Sequence, residues 1–483
     1  MVRWGLVLAL GGCAQLAGID NTSKGVDANV PMSRLQLEHV SIGTTIARSP
    51  HDASTVNASF LVPDPAAPGG LRKVVATLEG TDTLAADVGG ATVPVLYESP
   101  ELPNPILRIL DFPVATMKAI VPILEHPTPE PAPAGATITP NVTLNTAQAG
   151  QTYQLFTIGA WASVALTAPA DTATQLAPGP VTLAVANSPI RRLDKLTIDD
   201  VVMVLRYTGN QLVASLVATP FDQVMNNNIG GTMVATPLNQ TLDLRVNQMA
   251  ATQRLSTVRP AVGAPSFVWR LRASPGLDFA IDNGPQLHAA SVAAPIAADP
   301  QTVTAMYGNP FAANFKTLLT WDIRANRTYT GGTMLTATLA AGMTQRAEPS
   351  AALALTAPAG LPDRITANGI VLNVDNASVT ASMDAPVEVS FVTDAPSNTL
   401  YNVELFELVP GAMTYTLTRV VIASAATPNV KIPRDLFKPA TLYVLRAFSY
   451  AGCYTSVATG DLSQQALPCA FSFADSGVFQ VTP

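Results

Sequence analysis

The sequence predicts an all-β protein built from several β-sandwich domains. Short runs of alternating apolar and polar residues recur along the chain and are bounded by Pro, Gly or Asp, as in sandwiches. Charged residues make up only 13% of the composition and apolar residues 48%, a balance that suits strands and buried cores. At 483 residues the chain exceeds the size of one hydrophobic core. About two to four domains are therefore expected.

The N-terminus has the layout of a secretory signal, with an apolar stretch from Trp4 to Leu10 followed by small residues. The segment Leu10-Gly11-Gly12-Cys13 resembles the lipobox of bacterial lipoproteins, in which the cysteine thiol receives a diacylglycerol. The resemblance implies a signal peptide over residues 1–12 and a lipidated, palmitate-type anchor on Cys13. It also implies attachment to the bacterial outer membrane or cell surface, with the periplasmic face as the other option. An ordinary cleaved signal peptide with an incidental cysteine is the alternative.

The rest of the chain divides by composition into a tether and three β domains. Residues 13–34 lack a sustained period and are rich in turn formers, which indicates a flexible tether. Proline-rich and alanine-rich stretches then separate domains at 35–180, 181–356 and 364–483. The apolar pattern around Phe311 to Leu319 fits either a short helix or a strand.

The C-terminal domain carries a resemblance to a known fold. In the stretch from Phe437 to Ala447, Pro439, Thr441 and Tyr443 stand at alternate positions after a large apolar residue. This pattern resembles the tyrosine corner and following strand of fibronectin type III domains, which are immunoglobulin-like sandwiches. The resemblance implies that the Tyr443 hydroxyl bonds to the backbone just upstream.

Two of the three cysteines, Cys453 and Cys469, fall inside this fibronectin-like frame. The frame places them across the loop between its last two strands, and an oxidising compartment would allow a disulfide bond there. Two separate buried thiols are the alternative.

No catalytic, cofactor or metal site is predicted. The four histidines have no partner at ligand spacing, and His51-Asp52 lacks the nucleophile motif that a hydrolase triad needs. The tryptophans, which are the natural candidates for stacking on sugars, lie among apolar strand residues and are expected in the core. The candidates of this kind are Trp161, Trp269 and Trp321.

The net charge of −7 excludes a nucleic-acid partner, because polyphosphate binding needs a basic face. The expected function is that of a non-catalytic envelope or cell-surface lipoprotein that is bound to the membrane by its N-terminal lipid. Its β modules would serve display, adhesion or the binding of a protein or polysaccharide partner. The alternative is a secreted polysaccharide-binding or hydrolytic protein with an accessory fibronectin-like module. A small-ligand carrier is a third reading and needs a large apolar pocket.

Overall fold

The structure is a computed structural model of the whole chain. It describes residues 32–99, 105–123, 132–158, 162–182, 195–198, 200–218, 222–277, 284–292, 300–332, 334–350 and 352–482. Cys13, the predicted signal peptide, most of the predicted tether and Trp161 lie outside these residues. The first strand begins at Met32, so it includes the last three residues of the predicted tether.

The described residues form 37 strands and one α-helix, and the prediction of an all-β fold is confirmed. The strands before the first long connection are β1 (Met32–Ile42), β2 (Ile46–Pro50), β3 (Ala58–Pro63), β4 (Leu71–Val75), β5 (Thr77–Glu79), β6 (Thr83–Asp87), β7 (Val95–Ser99), β8 (Ile106–Asp111) and β9 (Thr116–Ile123). The next strands are β10 (Thr137–Thr143), β11 (Gln151–Ile158), β12 (Ser163–Leu166), β13 (Gln175–Leu176), β14 (Val181–Thr182), β15 (Val201–Thr208), β16 (Gln211–Ala218), β17 (Asn226–Thr232), β18 (Val234–Ala235) and β19 (Gln240–Val246).

The helix α1 (Gln248–Ser256) follows β19. After it come β20 (Ser266–Ser274), β21 (Gln286–Val292), β22 (Gln301–Tyr307), β23 (Lys316–Thr330), β24 (Thr336–Ala347), β25 (Ala352–Leu355), β26 (Asp363–Ala367), β27 (Ile370–Val371) and β28 (Ala377–Thr380). The last strands are β29 (Val387–Val392), β30 (Leu400–Pro410), β31 (Tyr415–Ala425), β32 (Asn429–Ile432), β33 (Leu442–Ala451), β34 (Tyr454–Ser456), β35 (Asp461–Gln465), β36 (Cys469–Asp475) and β37 (Phe479–Thr482). Short 3-10 helices cover Ala53–Thr55, Pro68–Gly70, Arg434–Leu436 and Val457–Thr459.

The alternation of side chains explains why these segments are strands. In β19, for example, Leu242, Leu244 and Val246 are buried while the residues between them are exposed, which is the period-2 pattern of a half-buried strand. The helix considered near Phe311 is not formed, because residues 311–315 are a turn and bend and β23 begins at Lys316.

A 14-stranded sheet crosses the molecule and joins distant parts of the chain. Its order is β21-β20-β23-β24-β36-β33-β30-β31-β8-β7-β3-β4, with β28 and β37 attached beside β33. One face is apolar and packs into the largest core, in which Trp269 and Trp321 are 2% and 1% exposed. The opposite face, at the centre of the sheet, carries charged and aromatic side chains.

Smaller sheets complete the fold. The strands β34-β35-β9-β1-β6-β5, with β2 on β1, form a seven-stranded sheet that packs on the β3, β7 and β8 end of the large sheet through a second core. The four-stranded sheet β27-β26-β29-β32 contributes to the largest core, as does the three-stranded sheet β22-β19-β25 beside α1.

Strand pairing and core packing cross the predicted domain boundaries. A third core runs from Ile138 to Met233 and unites strands on both sides of the predicted boundary at residue 180. The proline-rich stretch there connects strands that pack in the same core. Likewise, β24 pairs with β36 and β8 pairs with β31, so the predicted N-terminal, middle and C-terminal domains share one sheet. Composition marks surface connections, whereas strand pairing depends on distant residues.

Candidate binding face

The predicted cysteine pair is joined in the structure. The Sγ atoms of Cys453 and Cys469 are 1.96 Å apart, and their Cα atoms are 4.5 Å apart. The bond joins the two ends of the connection between β33 and β36, which are paired neighbours, as the fibronectin-like frame implies. This connection is longer than a simple loop, because it leaves the large sheet to form β34 and β35. β35 then pairs with β9, so the disulfide closes the base of an arm that reaches the seven-stranded sheet.

Tyr443 lies at a corner of the kind that the sequence predicts. Its side chain is fully buried, and its hydroxyl accepts a hydrogen bond of 2.6 Å from the backbone N–H of Lys438. The ring packs edge-on against Phe437 at 5.2 Å. The Thr441 hydroxyl donates to the carbonyl of Pro439 at 3.2 Å, which holds the turn before β33. Burial raises the pKa of the Tyr443 phenol, so the hydroxyl stays protonated at neutral pH.

His39 and His51, two of the described histidines, lie close together. His39 and His51 face each other with ring centroids 6.1 Å apart, and burial lowers the pKa of both. The Asp52 carboxylate accepts the backbone N–H of Ser54, so it caps a 3-10 helix. Across the described ranges no group of three or more His, Cys, Asp or Glu side chains is arranged to hold a metal ion.

Aromatic residues at alternate positions occupy the half-exposed face of the central sheet. β33 contributes Phe448 and Tyr450, and its neighbour β36 contributes Phe471 and Phe473. The register pairs Phe448 with Phe473 and Tyr450 with Phe471, so the four rings form a compact group across two strands. All four side chains are partly accessible to solvent.

The rings contact one another in a continuous series. Phe471 lies 5.5 Å from Tyr450, Tyr450 lies 5.6 Å from Phe448, and Phe448 lies 5.5 Å from Phe473. The interplanar angles are 31°, 20° and 35°, so one contact is stacked and two are tilted. Tyr450 also packs against Tyr454, beside the second core.

Arginine side chains stand at both ends of the ring series. The guanidinium of Arg346 lies 5.1 Å from the centroid of Phe471, and that of Arg446 lies 5.3 Å from Phe473. The Arg446 guanidinium also lies 5.1 Å from the centroid of the Phe406 ring, and the Arg419 guanidinium lies 5.5 Å from the same centroid. Such contacts are favourable cation–π interactions. We call this series of arginines and rings, from Arg346 to Arg419, the arginine–aromatic ladder.

Gly342 makes room for one end of the ladder. It lies on β24 opposite Phe473, and a Cβ atom at this position would lie 2.7 Å from the Phe473 ring and 2.7 Å from the carbonyl oxygen of Ile323. A glycine is therefore required where the Phe473 ring covers the strand. Aromatic rings that cover strand glycines in this way also stabilise sheets.

Two carboxylates bind Arg446 and Arg419, two of the three arginines of the ladder. Asp475 accepts two hydrogen bonds from Arg446, at 2.6 and 2.9 Å, and a third from the backbone N–H of Ala340. Burial opposes the charge of Arg446, but the hydrogen bonds and the charge of Asp475 outweigh it and raise the arginine pKa. Glu404 pairs with Arg419 at 3.3 Å. Burial raises the pKa of Glu404 despite the neighbouring arginines.

The sequence contains a signal for the ladder that prediction missed. In β33 the residues Arg446, Phe448 and Tyr450 alternate with the core residues, so both faces of the strand carry large side chains. The same holds for Phe471 and Phe473 in β36. A strand that is apolar on one face and aromatic on the other indicates a second contact surface. Alternation alone does not reveal that the two strands are neighbours.

No protein-family model matches this chain, and no curated protein matches it. One solved structure that is similar is a tetra-tandem repeat in the extending region of a large adhesion protein, at 12% identity. The alignment covers 92% of this chain and 100% of that chain, with a TM-score of 0.13. A TM-score this low is not that of a shared fold, so the function must be argued from this chain's own side chains.

Proposed function

We propose that this protein is a non-catalytic, lipid-anchored cell-surface or envelope protein that binds a partner protein through the arginine–aromatic ladder. The observation that supports this proposal is the partly exposed ladder itself, which combines tyrosine, phenylalanine and arginine in one rigid patch. These residue types, together with tryptophan, dominate the energetics of protein interfaces. A β-sheet scaffold holds the patch in place, so binding would order few side chains.

A protein partner fits the ladder better than a polysaccharide does. Sugar rings bind aromatic side chains through exposed ring faces, but the ladder rings lie against one another and against guanidinium groups. The two tryptophans that the structure describes, Trp269 and Trp321, lie in the core. The polysaccharide reading therefore loses both of its expected platforms among the described residues.

The charge of the ladder favours an acidic partner. Three guanidinium groups, those of Arg346, Arg419 and Arg446, lie in this patch with two carboxylates, those of Glu404 and Asp475. Arg446 and Arg419 are already paired with these carboxylates, so the patch would attract an acidic partner through its excess of positive charge and not through unpaired donors.

The binding role is tested by photo-crosslinking on intact cells. A photo-reactive residue replaces Asn402, which pairs with Phe448 on the ladder face, and a control replaces the exposed Arg245 on β19. We expect an adduct from the Asn402 position that disappears when Arg346→Glu is added and persists with Arg245→Glu. Loss of one interface arginine should weaken binding at least about tenfold. The same adducts from both positions, or an adduct that survives Arg346→Glu, would contradict the proposal.

Anchoring by Cys13 completes the proposed function. The lipobox resemblance supports it, and a diacylglycerol with further acyl chains provides enough buried methylene groups for stable attachment. No helix in the described parts of the chain is long and apolar enough to span a membrane. Metabolic labelling with a radioactive fatty acid should mark the wild-type protein and not Cys13→Ser. Equal release of the two forms into the soluble fraction would count against the anchor.

We also propose that the C-terminal module is a fibronectin-like sandwich. The strands β26, β29 and β32 form one sheet and β30, β31, β33 and β36 lie in the facing one, with Tyr443 at the corner between them. Two facing sheets with this corner support an immunoglobulin-like sandwich.

A further inference from the structure

A pocket of about 520 Å³ lies beside the Tyr443 corner and is not part of the arginine–aromatic ladder. Segments from both ends of the chain form its walls. The turn after β3 contributes Pro68 and Gly69, the connection before β29 contributes Met383, and β37 contributes Val481. Its volume is within the range of small-molecule sites in proteins.

Tight backbone contacts close one side of the pocket. The N–H of Gly69 donates to the carbonyl of Met383 at 2.6 Å, which ties the N-terminal turn to the C-terminal module. Gly69 has φ +74°, a conformation that glycine adopts readily, and a Cβ there would lie 3.4 Å from the Cβ of Arg434. This wall of the pocket is therefore formed by closely packed backbone segments and not by loosely packed side chains.

Arg434 brings a buried positive charge to the pocket. The residue is 5% exposed, and its Nη1 atom donates to the carbonyl of Phe437 at 2.9 Å. Its Nε atom is buried and has no hydrogen-bond partner. Among the residues that the structure describes, no carboxylate pairs with this guanidinium. The neighbouring Asp435 carboxylate is bound by Lys73 at 2.7 Å.

An arginine in this state lacks the counter-charge that buried cations normally have. A buried charge without a partner is strongly unfavourable, and buried arginines are usually paired with a carboxylate or phosphate. The backbone of the pocket is also strained, since Ala440 has φ +54° although it is not glycine. Strained residues of this kind are concentrated at binding sites.

We propose that this pocket binds a small organic anion. Its carboxylate or phosphate would pair with Arg434, and its apolar part would pack on Phe437, Pro439 and Val481. The oxyanion supplies the missing counter-charge, while the apolar wall discriminates against inorganic ions. The small-ligand function is separate from the ladder and requires no partner protein.

Calorimetric titration of the full chain carrying Cys13→Ser tests the proposal with octanoate and benzoate as probes. We expect saturable binding of at least one of these anions and no binding of the neutral analogue 1-octanol. Arg434→Gln should weaken binding at least about tenfold, because hydrogen bonds to charged groups are strong.

A second variant keeps the test independent of any folding defect in Arg434→Gln. Met383 is 60% exposed, so Met383→Trp should fold normally and fill the pocket mouth, which would abolish binding. Met413→Trp is the matched control, since Met413 is 81% exposed and is not among the residues that line the pocket. Failure of both probes to bind, or equal binding by Met383→Trp, would overturn the proposal. Equal binding of inorganic phosphate would indicate an adventitious ion only and would also overturn it.

Discussion

Replacement of Tyr443 separates a hydrogen bond from packing at one buried position. The ring is fully buried between Phe437 and Phe479, at centroid distances of 5.2 and 6.1 Å. The hydroxyl accepts the Lys438 N–H at 2.6 Å. Tyr443→Phe removes only the hydroxyl and leaves that N–H without a partner, which should cost about 1 to 3 kcal/mol. Tyr443→Ala also leaves a cavity in the core and should cost about 3 to 5 kcal/mol.

Urea unfolding of the full chain and hydrogen exchange of the peptide that contains Lys438 together measure the effect. The full chain is needed because β33 lies in a sheet that also contains β24 and β8. Tyr153→Phe is the matched control, since the Tyr153 hydroxyl makes a longer bond of 3.3 Å to Gln151. The Gln151 acceptor also keeps its bond from the backbone N–H of Gln148, so the control should lose less stability. Unchanged exchange at Lys438 in Tyr443→Phe would refute the corner as a source of stability.

Three further perturbations follow from the described contacts. Reduction or replacement of the Cys453–Cys469 bond, which spans 16 positions, should lower the free energy of unfolding by about 3 kcal/mol, as measured by urea titration with and without reductant; an unchanged midpoint would contradict this. Arg446→Ala leaves the buried Asp475 carboxylate without its partner and should lower the free energy of unfolding by about 3 to 5 kcal/mol. Arg34→Ala, which breaks an exposed pair, should lower it by less than about 1 kcal/mol. Equal losses would argue against a buried pair. Burial lowers the pKa of His39 in the folded protein, so the unfolded chain takes up this proton at a higher pH than the folded chain does. The free energy of unfolding should therefore fall as the pH drops below about 6.5, by at most about 1.4 kcal/mol per pH unit for this group. His39→Gln should reduce the difference in unfolding free energy between pH 7.5 and 5.5, and an unchanged difference would refute the role of His39.

Local features of the fold could be predicted from the sequence because they depend on neighbouring residues. The all-β class follows from short alternating runs that are bounded by turn formers, and the described residues form strands as this pattern predicts. The burial of Trp269 and Trp321 followed from their apolar neighbours. The Tyr443 hydrogen bond was implied by a short motif, and the structure contains a bond of the predicted kind.

Long-range features could not be predicted, because alternation specifies a face of a strand but not its partner. The parallel pairing of β8 with β31 and the antiparallel pairing of β24 with β36 join segments that composition assigns to different domains. The ladder depends on the second kind of information, since Phe471 and Tyr450 meet only when β36 lies beside β33. The Arg434 pocket depends on it too, because Gly69 and Met383 come from opposite ends of the chain.

The shared sheet has a consequence for how the protein is made. One edge of β8 (Ile106–Asp111) is paired only after β31 (Tyr415–Ala425) has been synthesised. One edge of β24 is likewise paired only after β36 has been synthesised. During synthesis these two strand edges therefore remain unpaired until nearly the whole chain has been made. Open edges readily pair with other chains, and folds dominated by distant contacts form slowly. We expect a holding chaperone to be needed until the last strands emerge, and expect prematurely terminated chains to aggregate and be degraded.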